Sequence, residues 1–300
     1  MAHEPVLVSE VLAHLAVEAE GTYLDGTVGA GGHAAALLEE RPRLRVIGLD
    51  RDAEAIGEAA GTLRRFGERV TLVHASYAEM ERVAREVGVL GSVAGILLDL
   101  GVSSTQLDLP ERGMSYRSEG PLDLRFDRAH GESAADWIER APAPEMARVF
   151  RQYGEIPRAG ALAGAIDRER RRAPIRTTAD LAESLRRQLR RVPPDLLSRV
   201  FQAIRIEVND ELGELERGLD AARSVLARGG RLAVIAYHSL EDRIVKRTFL
   251  PPPASRHAPP REEGPWEPVV RRAIRPTGEE IERNPRARSA RLRVAALRAA

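Results

Sequence analysis

The chain of 300 residues contains no cysteine, which excludes disulfides, thiolate nucleophiles and cysteine-ligated metal sites. Long apolar runs are also missing, because the longest stretch without a charged residue, 26–38, is too short and too rich in glycine to cross a bilayer. The first 21 residues carry four glutamates and no basic segment, so no secretory signal is expected. These absences predict a cytoplasmic protein with no membrane partner.

Lysine is nearly absent as well, and Lys246 stands beside 45 arginines. The net charge of +1 is unevenly divided: residues 1–100 carry nine basic and 16 acidic side chains, whereas residues 101–300 carry 37 and 29. A basic later part favours a polyanionic partner for that part of the chain. Ion-paired helices exposed to water would give the same counts, so charge alone leaves both interpretations open.

Short apolar runs alternate with helical patterns along the first hundred residues. The runs predict strands over 22–28, 45–50, 70–74 and 93–99, and the patterns between them predict helices over 33–40, 52–65 and 78–86. Runs that are apolar on both faces and separated by helices indicate buried parallel strands of a βαβ sheet. The first part of the chain is therefore predicted to be α/β.

The alternation stops after residue 104. Residues 105–209 contain no convincing strand, and their clearest helical patterns cover 134–140, 145–153, 159–172 and 178–190. Beyond them the pattern predicts a helix (210–227), a Gly229-Gly230 turn, a strand (231–237), a helix (239–249), a proline-rich loop (250–264) and two closing strands (269–275 and 290–297). We expect one α/β domain, formed by 1–104 and 206–300, interrupted by a helical insert over 105–205.

A glycine-rich segment, DGTVGAGGH (25–33), follows the first predicted strand. Gly29, Gly31 and Ala34 fit the dinucleotide pattern G-x-G-x-x-G/A, with Asp50 about twenty residues on. That pattern alone is weak evidence, and a tight turn without a ligand also explains it. The charge of Asp25 indicates which of two cofactors, a dinucleotide or S-adenosylmethionine, would bind here. A pyrophosphate beside this carboxylate is unfavourable, whereas the ammonium and sulfonium of S-adenosylmethionine are stabilised by it.

Polar side chains also follow the next three predicted strands, at the edge where open α/β sheets bind ligands. Asp50 ends the second strand and can accept hydrogen bonds from both ribose hydroxyls, or it can cap the next helix. Tyr77 follows the third strand and either flanks an adenine or packs in the core. Asp99 ends the nearly all-apolar fourth strand, a position that favours a functional carboxylate over a surface charge.

Longer motifs run from one end of the chain to the other: HEPVL (3–7), DGTVGAGGH (25–33), GLDRD (48–52), GILLDLGVSS (95–104) with Gln106, ERGMSYRSEGPLDLRFD (111–127), FQAIRIEVNDEL (201–212), GGRLAVIAYHSLEDRIVKRTF (229–249) and NPRARSARLR (284–293). Together they closely resemble the MraW/RsmH family of bacterial 16S ribosomal RNA (cytosine-N4)-methyltransferases. Because several exceed ten residues, this match is far more specific than the glycine turn.

The resemblance implies a class I, Rossmann-like methyltransferase fold with an inserted helical domain for RNA recognition. It implies methyl transfer from S-adenosylmethionine, which leaves S-adenosylhomocysteine, to the exocyclic N4 of a cytidine in the decoding region of 16S ribosomal RNA within the small ribosomal subunit. Asp25 and Gly29 belong to the predicted cofactor site through the glycine turn. The contacts carried over by position are Gly31, Gly32, His33, Asp50, Tyr77, Asp99 and Gln106.

The catalytic residues follow from the chemistry of the amine. Cytosine N4 is a weak nucleophile because its lone pair is delocalised into the ring, so an acceptor for the N4 hydrogens would assist attack. Asp99 or a backbone carbonyl of 100–104 is the first candidate. His238 is the second, since it could take the proton after transfer, although a helix-capping role explains it equally well. Many amino-methyltransferases on DNA place two prolines and an aromatic after this acidic residue, and this sequence does not.

The remaining expectations concern the substrate. Ser103, Ser104, Tyr116, Asp123 and Arg125 are expected to help form the base pocket, although the segment could also be a structured connector. Two groups of arginines are candidates for RNA contacts or are surface residues: 168 with 170–172, and 286, 288, 291 and 293.

Other interpretations stay open at this point. No metal site is expected, because the seven histidines show no ligand spacing. A homodimer is left open. An NAD-dependent oxidoreductase and a ribosome-binding factor without catalysis are the alternative functions.

Overall fold

The computed structural model describes residues 5–15, 20–188, 193–250 and 264–299. The chain divides into two compact units, of which the first comprises residues 1–101 and 212–300 and the second residues 102–211. Most of the predicted proline-rich loop (250–264) and the last two residues of the predicted helix 178–190 lie outside the described residues.

The strands of the first unit form one sheet. They are β1 (Glu20–Asp25), β2 (Arg43–Asp50), β3 (Val70–His74), β4 (Val93–Asp99), β5 (Leu226–Ala236), β6 (Trp266–Pro268) and β7 (Arg291–Leu297). Their order in the sheet is β3-β2-β1-β4-β5-β7-β6. The pairs from β3 to β5 are parallel, whereas β7 is antiparallel to both β5 and β6.

The helices in chain order are α1 (Val8–Leu15), α2 (Gly32–Glu40), α3 (Ala53–Leu63), α4 (Met80–Val87), α5 (Ser104–Asp108), α6 (Ala134–Arg140), α7 (Ala143–Gln152), α8 (Ala159–Arg170), α9 (Thr178–Gln188), α10 (Pro194–Asn209), α11 (Glu211–Val225), α12 (Ser239–Phe249) and α13 (Gly278–Arg283). Short 3₁₀ turns cover Arg64–Arg69, Tyr77–Glu79, Pro110–Arg112 and Pro285–Ser289. Among the described residues, no helix is both long and apolar enough to cross a membrane.

The sheet brings the carboxyl ends of its parallel strands to one edge. Asp25 is in register with Gly48 and Leu97, and Asp99 is in register with Ile235. The strand order reverses direction between β1 and β4, and open α/β sheets bind their ligands at such a switch point. This topology confirms the predicted α/β, Rossmann-like fold.

Local sequence explains why these elements form. The strand β4 (VAGILLD) is buried on both faces, as its apolar run predicts for the middle of a parallel sheet. The helix α3 begins after Asp52, whose carboxylate accepts the Glu54 N–H at 3.1 Å, so the predicted N-cap is confirmed.

Two predictions about the later strands are wrong. Residues 269–275 do not form a strand, because β6 covers Trp266–Pro268 and Ile274 makes only an isolated bridge to Leu292. Arg271-Arg272 interrupts the apolar pattern there. The Gly229-Gly230 pair is not a turn before a strand but part of β5, where the register with β4 shifts and Gly229 has a φ of +81°. The glycines therefore accommodate a bulge. The closing strand predicted over 290–297 is confirmed by β7.

The second unit is helical and has its own apolar core, to which Trp137, Phe150 and Phe201 contribute. Within the described part of this unit, β pairing is limited to one isolated bridge between Pro121 and Thr177. The buried Asn209 ties α10 to the loop before α6. Its Nδ2 donates to the Leu124 carbonyl at 2.7 Å, and its Oδ1 accepts the Phe126 N–H at 2.8 Å. Sequence reasoning had assigned no role to this residue.

Candidate functional site

Three aspartates lie at the carboxyl ends of neighbouring strands in the first unit, and we call them the acidic edge: Asp25 (β1), Asp50 (β2) and Asp99 (β4). Asp25 is 2% exposed and accepts the Thr27 N–H at 3.2 Å. The Thr27 hydroxyl accepts the Asp99 N–H at 2.7 Å, so this threonine joins the ends of β1 and β4. Sequence reasoning overlooked Thr27, although it lies inside the glycine-rich motif.

Burial makes the acidic edge costly for the folded chain. The pKa of Asp25 is raised to about 7, chiefly by loss of hydration. The charge of His33 and the hydrogen bond from Thr27 lower this pKa, and the charges of Asp99 and Asp50 raise it. Burial likewise raises the pKa of Asp99 to about 7 and that of Asp50 to about 6. A positively charged ligand would offset both the repulsion between these carboxylates and the free-energy cost of removing them from water. The edge therefore fits a cationic ligand.

Asp50 fixes the glycine-rich loop. Its Oδ2 accepts the Gly29 N–H at 3.0 Å, and its Oδ1 accepts the Asp52 N–H at 2.9 Å. Gly29 and Gly31 have φ values of +51° and +88°, which glycine adopts without strain. The cap of α3 is Asp52, so the alternative role of Asp50 as that cap is wrong.

The described start of the chain covers the other side of the loop. A Cβ added at Gly32 would collide with the ring of Pro5, so a glycine is required here for packing as well. The imidazole of His33 is buried, and its Nε2 lies 2.9 Å from the carbonyl oxygen of Val6. These contacts give Pro5 and Val6 of the HEPVL motif a structural role.

That N-terminal segment is held in turn by α13. The Leu7 N–H donates to Glu280 Oε1 at 2.8 Å, across 273 residues of sequence. A residue near the C-terminus thereby positions the segment that covers the glycine-rich loop.

Tyr77 begins the 3₁₀ turn after β3, at the same edge of the sheet. It is partly buried, and its ring lies where a Cβ added at Gly218 of α11 would collide with it. The residue thus has the packing role that the sequence left open. Contact with an adenine stays a prediction.

His238 lies after β5 and caps α12. The Glu241 N–H lies 3.4 Å from His238 Nδ1, and Glu241 Oε2 accepts the backbone N–H groups of Tyr237 and His238 at 2.9 and 3.3 Å. His238 Nε2 is 3.1 Å from Glu241 Oε1 without hydrogen-bond geometry. Capping accounts for the histidine, and its role as proton acceptor stays a prediction.

The other predicted site residues belong to the second unit. Ser103 and Gln106 form a reciprocal cap at the start of α5, with the Ser103 N–H donating to Gln106 Oε1 at 3.0 Å. The side chain of Ser104 lies outside the described part. The Tyr116 hydroxyl is 3.1 Å from Ser198 Oγ.

Asp123 and Arg125, both predicted pocket residues, pair with each other through two contacts of 2.7 and 2.9 Å. Burial raises the pKa of Asp123, but the hydrogen bonds and charge of Arg125 outweigh it and leave that pKa below its ordinary value. The pair is local, because its two residues lie in the same loop. The assignments of these second-unit residues, including Gln106 as a cofactor contact, stay predictions.

Several arginines proposed for RNA have protein partners. Arg293 Nε and Arg291 Nη1 bind the Asp242 carboxylate at 2.7 and 3.0 Å, so these two join β7 to α12. Arg170 donates to Asp167 and to the carbonyl of Ala141. These three are explained by the fold. Arg286 and Arg288 stay predictions.

The switch point, the acidic edge and the glycine-rich loop define the class I fold of S-adenosylmethionine-dependent methyltransferases. The family model of the MraW methylase family matches residues 1–298. Ribosomal RNA small subunit methyltransferase H of Symbiobacterium thermophilum is 48% identical over 97% of this chain and 95% of its own length. The protein of the same name from Sorangium cellulosum is 46% identical over 98% of this chain and 90% of its own length.

The chain belongs to the MraW methylase family. This membership confirms the resemblance, the prediction of an enzyme that transfers methyl groups and the prediction of S-adenosylmethionine as cofactor. It contradicts the alternative of an NAD-dependent oxidoreductase. A solved rRNA methylase structure from Streptococcus thermophilus covers 100% of this chain and 99% of its own, at 11% identity and a TM-score of 0.40.

Ionisation of the acidic edge is expected to lower the stability of the ligand-free protein, although the same charges favour binding of a cationic ligand. Because the pKa of Asp25 is raised from 3.8 to about 7, the folded chain holds that proton more tightly than the unfolded chain. The resulting stability is fully present below about pH 4 and is lost as the pH rises through about 7. Asp25→Asn should therefore stabilise the ligand-free protein at pH 8, by up to about 4 kcal/mol, and by only about 1 kcal/mol at pH 4.5.

Calorimetric melting temperatures at the two pH values test this expectation. Asp220→Asn, on the exposed surface of α11, is the control for loss of one carboxylate. An equal effect of Asp25→Asn at both pH values would contradict the account.

Proposed function

We propose that the protein transfers a methyl group from S-adenosylmethionine to the exocyclic N4 of a cytidine in the decoding region of 16S ribosomal RNA, on the small ribosomal subunit in the cytoplasm. The observation that carries the proposal is the whole-length match to relatives named ribosomal RNA small subunit methyltransferase H. The N4 atom and the decoding region come from the family resemblance, and the acidic edge supports the chemistry they require.

The acidic edge fits the cofactor by charge. Three carboxylates lie at one edge of the sheet, that of Asp25 buried and those of Asp50 and Asp99 partly buried, and S-adenosylmethionine carries an ammonium and a sulfonium. We assign Asp50 to the ribose hydroxyls, since each of its oxygens keeps acceptor capacity beyond its one backbone hydrogen bond. Gly29 shapes the loop, and the further proposed contacts are Gly31, Gly32, His33, Tyr77 and Gln106.

Asp99 is the proposed acceptor for the amine hydrogens. When bound, the cofactor supplies a methyl group on a good leaving group, so the protein's task is to align the amine and exclude water. A carboxylate that accepts a hydrogen bond from N4 draws its lone pair out of conjugation and stabilises the positive charge that develops on nitrogen. The raised pKa of Asp99 suits a group that takes up a proton near neutral pH.

The second unit is the proposed RNA-recognition domain. Its place in the proposal comes from the family resemblance, because residues 102–211 carry 19 basic and 18 acidic side chains. The basic excess lies in residues 212–300, with 18 basic and 11 acidic side chains, and a polyanionic partner is attracted by such an excess. A cytidine must leave its stack to reach a buried acceptor. Ser103, Ser104, Tyr116, Asp123 and Arg125 are the proposed pocket residues. His238 remains the second candidate for the proton, and the homodimer stays an untested expectation.

The proposed substrate is tested by finding which RNA fragment receives the methyl group. Small subunits from a strain that lacks this activity would be incubated with the protein and methyl-labelled S-adenosylmethionine. The 16S RNA would then be digested and the labelled fragment identified. We expect label in one fragment of the decoding region. Label in another region or in large-subunit RNA would overturn the substrate, whereas no label from any particle would favour a binding factor without catalysis.

A further inference from the structure

Asp99 is held between two side chains that the mechanism above does not use. The Tyr237 hydroxyl donates to Asp99 Oδ1 at 2.9 Å, and His33 Nδ1 lies 3.8 Å from Asp99 Oδ2. Asp99 reaches the edge from β4, Tyr237 from the end of β5 and His33 from α2. The two oxygens of one carboxylate thus have different neighbours.

The backbone decides which nitrogen of His33 carries the proton. The carbonyl oxygen of Val6 can only accept, so the contact of 2.9 Å places a hydrogen on Nε2. Burial lowers the pKa of His33, which favours the neutral ring. Nδ1 then presents a lone pair to Asp99 Oδ2. Two acceptors face each other there at 3.8 Å, beyond hydrogen-bond distance. They can share one additional proton when it draws them together to about 3 Å.

We propose that Tyr237 and His33 are positioning residues for Asp99. Tyr237 fixes Oδ1 and the plane of the carboxylate, and His33 Nδ1 shares with Oδ2 the proton that methyl transfer releases. The proposal rests on the proposed function, since it takes Asp99 as the acceptor of the amine proton.

The step balances without a further reactant. The N4–CH₃ bond forms as the S–CH₃ bond breaks, and the cofactor leaves as neutral S-adenosylhomocysteine. The methylated amine loses one proton to Asp99 Oδ2, and this proton is shared with His33 Nδ1 until it passes to water. The hydrogen bond from Tyr237 stays in place throughout because it engages the other oxygen.

The remaining charged groups near this pair are acidic. The charge of Asp99 raises the pKa of Asp25 on β1, and Asp25 in turn raises the pKa of His33. Glu241 on α12 raises the pKa of Asp99, and Glu280 on α13 raises that of His33. The Tyr237 hydrogen bond opposes this trend and lowers the pKa of Asp99. Removing the hydroxyl should therefore move the titration of Asp99 to higher pH.

Two substitutions of His33 separate the two nitrogens. In His33→Gln the amide nitrogen takes the place of Nε2 and can donate to Val6, but the acceptor at Nδ1 is lost. In His33→Asn the amide oxygen takes the place of Nδ1, and the Val6 contact is lost. At saturating S-adenosylmethionine we expect kcat to fall about tenfold or more in His33→Gln and to be higher in His33→Asn. Saturation removes from this comparison any rise in the KM for the cofactor, of which His33 is a proposed contact. The opposite order would mean that His33 only holds the N-terminal segment.

Tyr237→Phe tests the other contact. We expect a lower kcat and an acid limb of the kcat–pH profile displaced upward by about half a unit or more, with ¹³C NMR of the Asp99 carboxyl moving in the same direction. Tyr23→Phe, a buried tyrosine of β1, is the control for loss of a hydroxyl. An unchanged Asp99 titration in Tyr237→Phe would overturn the inference.

The NMR titration needs no RNA, so the two proposals can fail separately. Label on a nucleoside other than a cytidine would overturn the proposed function and leave the titration result standing. Normal N4 methylation with unaltered pH profiles in both sets of variants would overturn the inference alone.

Discussion

Asp99→Asn is expected to lower kcat for methyl transfer by about 10²–10⁴-fold. Asparagine keeps the shape of the side chain and can still accept the Tyr237 hydroxyl, so the change removes chiefly the capacity to take a proton. Because Asp25 and Asp50 are two further proposed carboxylate contacts of the cofactor, the Kd for S-adenosylhomocysteine should rise about tenfold or less. Single-turnover rates with saturating cofactor and small subunits measure the first effect, and calorimetric titration measures the second.

Asp220→Asn is the matched control, because it removes the same charge from the exposed surface of α11. It should leave both quantities within twofold of the parent protein. If Asp99→Asn kept kcat within threefold of the parent, Asp99 would not be the amine acceptor, and a backbone carbonyl of 100–104 or His238 would take its place.

Asp50→Ala is expected to weaken binding of S-adenosylhomocysteine about 100-fold. The substitution leaves the N–H groups of Gly29 and Asp52 without their carboxylate acceptor and removes the proposed bond to the ribose. Hydrogen bonds to a charged group contribute roughly 1.5–3 kcal/mol each, so the loss of two or more accounts for this factor. The rate at saturating cofactor should fall much less than it does in Asp99→Asn, since Asp50 lies at the end of a different strand.

Asp52→Asn serves as the comparison for the second prediction. It lies two residues away and removes a charge, yet asparagine caps a helix as well as aspartate does, so α3 should persist and binding should change by only a few-fold. Equal losses of affinity in Asp50→Ala and Asp52→Asn would show that the effect comes from the general charge of the loop and not from the contacts of Asp50.

The strands of the first unit could be predicted because each buried strand is a run of consecutive, mostly apolar residues. The runs that end in Asp50, His74 and Asp99 each end a strand in the structure as well. Parallel pairing then brings those ends together by topology alone. This is why the acidic edge was predictable from one sequence without any knowledge of contacts.

Contacts across long stretches of sequence were not predictable. Tyr237 meets Asp99 across 138 residues, and Leu7 meets Glu280 across 273. No local periodicity encodes such a pair. For the same reason, the ion pairs of the arginines of β7 were not predicted. Arg293 looks like a solvent-exposed cation in the sequence, and its partner Asp242, 51 residues earlier, is visible only in the fold.

The central claim concerns the atom that receives the methyl group. Small subunits that lack the modification would be methylated by the purified protein with methyl-labelled S-adenosylmethionine. Their RNA would then be digested to nucleosides, and the products would be separated and identified by mass spectrometry against N4-methylcytidine, 5-methylcytidine and 2′-O-methylcytidine. The account predicts label in N4-methylcytidine, abolished in Asp99→Asn. Label in 5-methylcytidine, in 2′-O-methylcytidine or in any other nucleoside would contradict it.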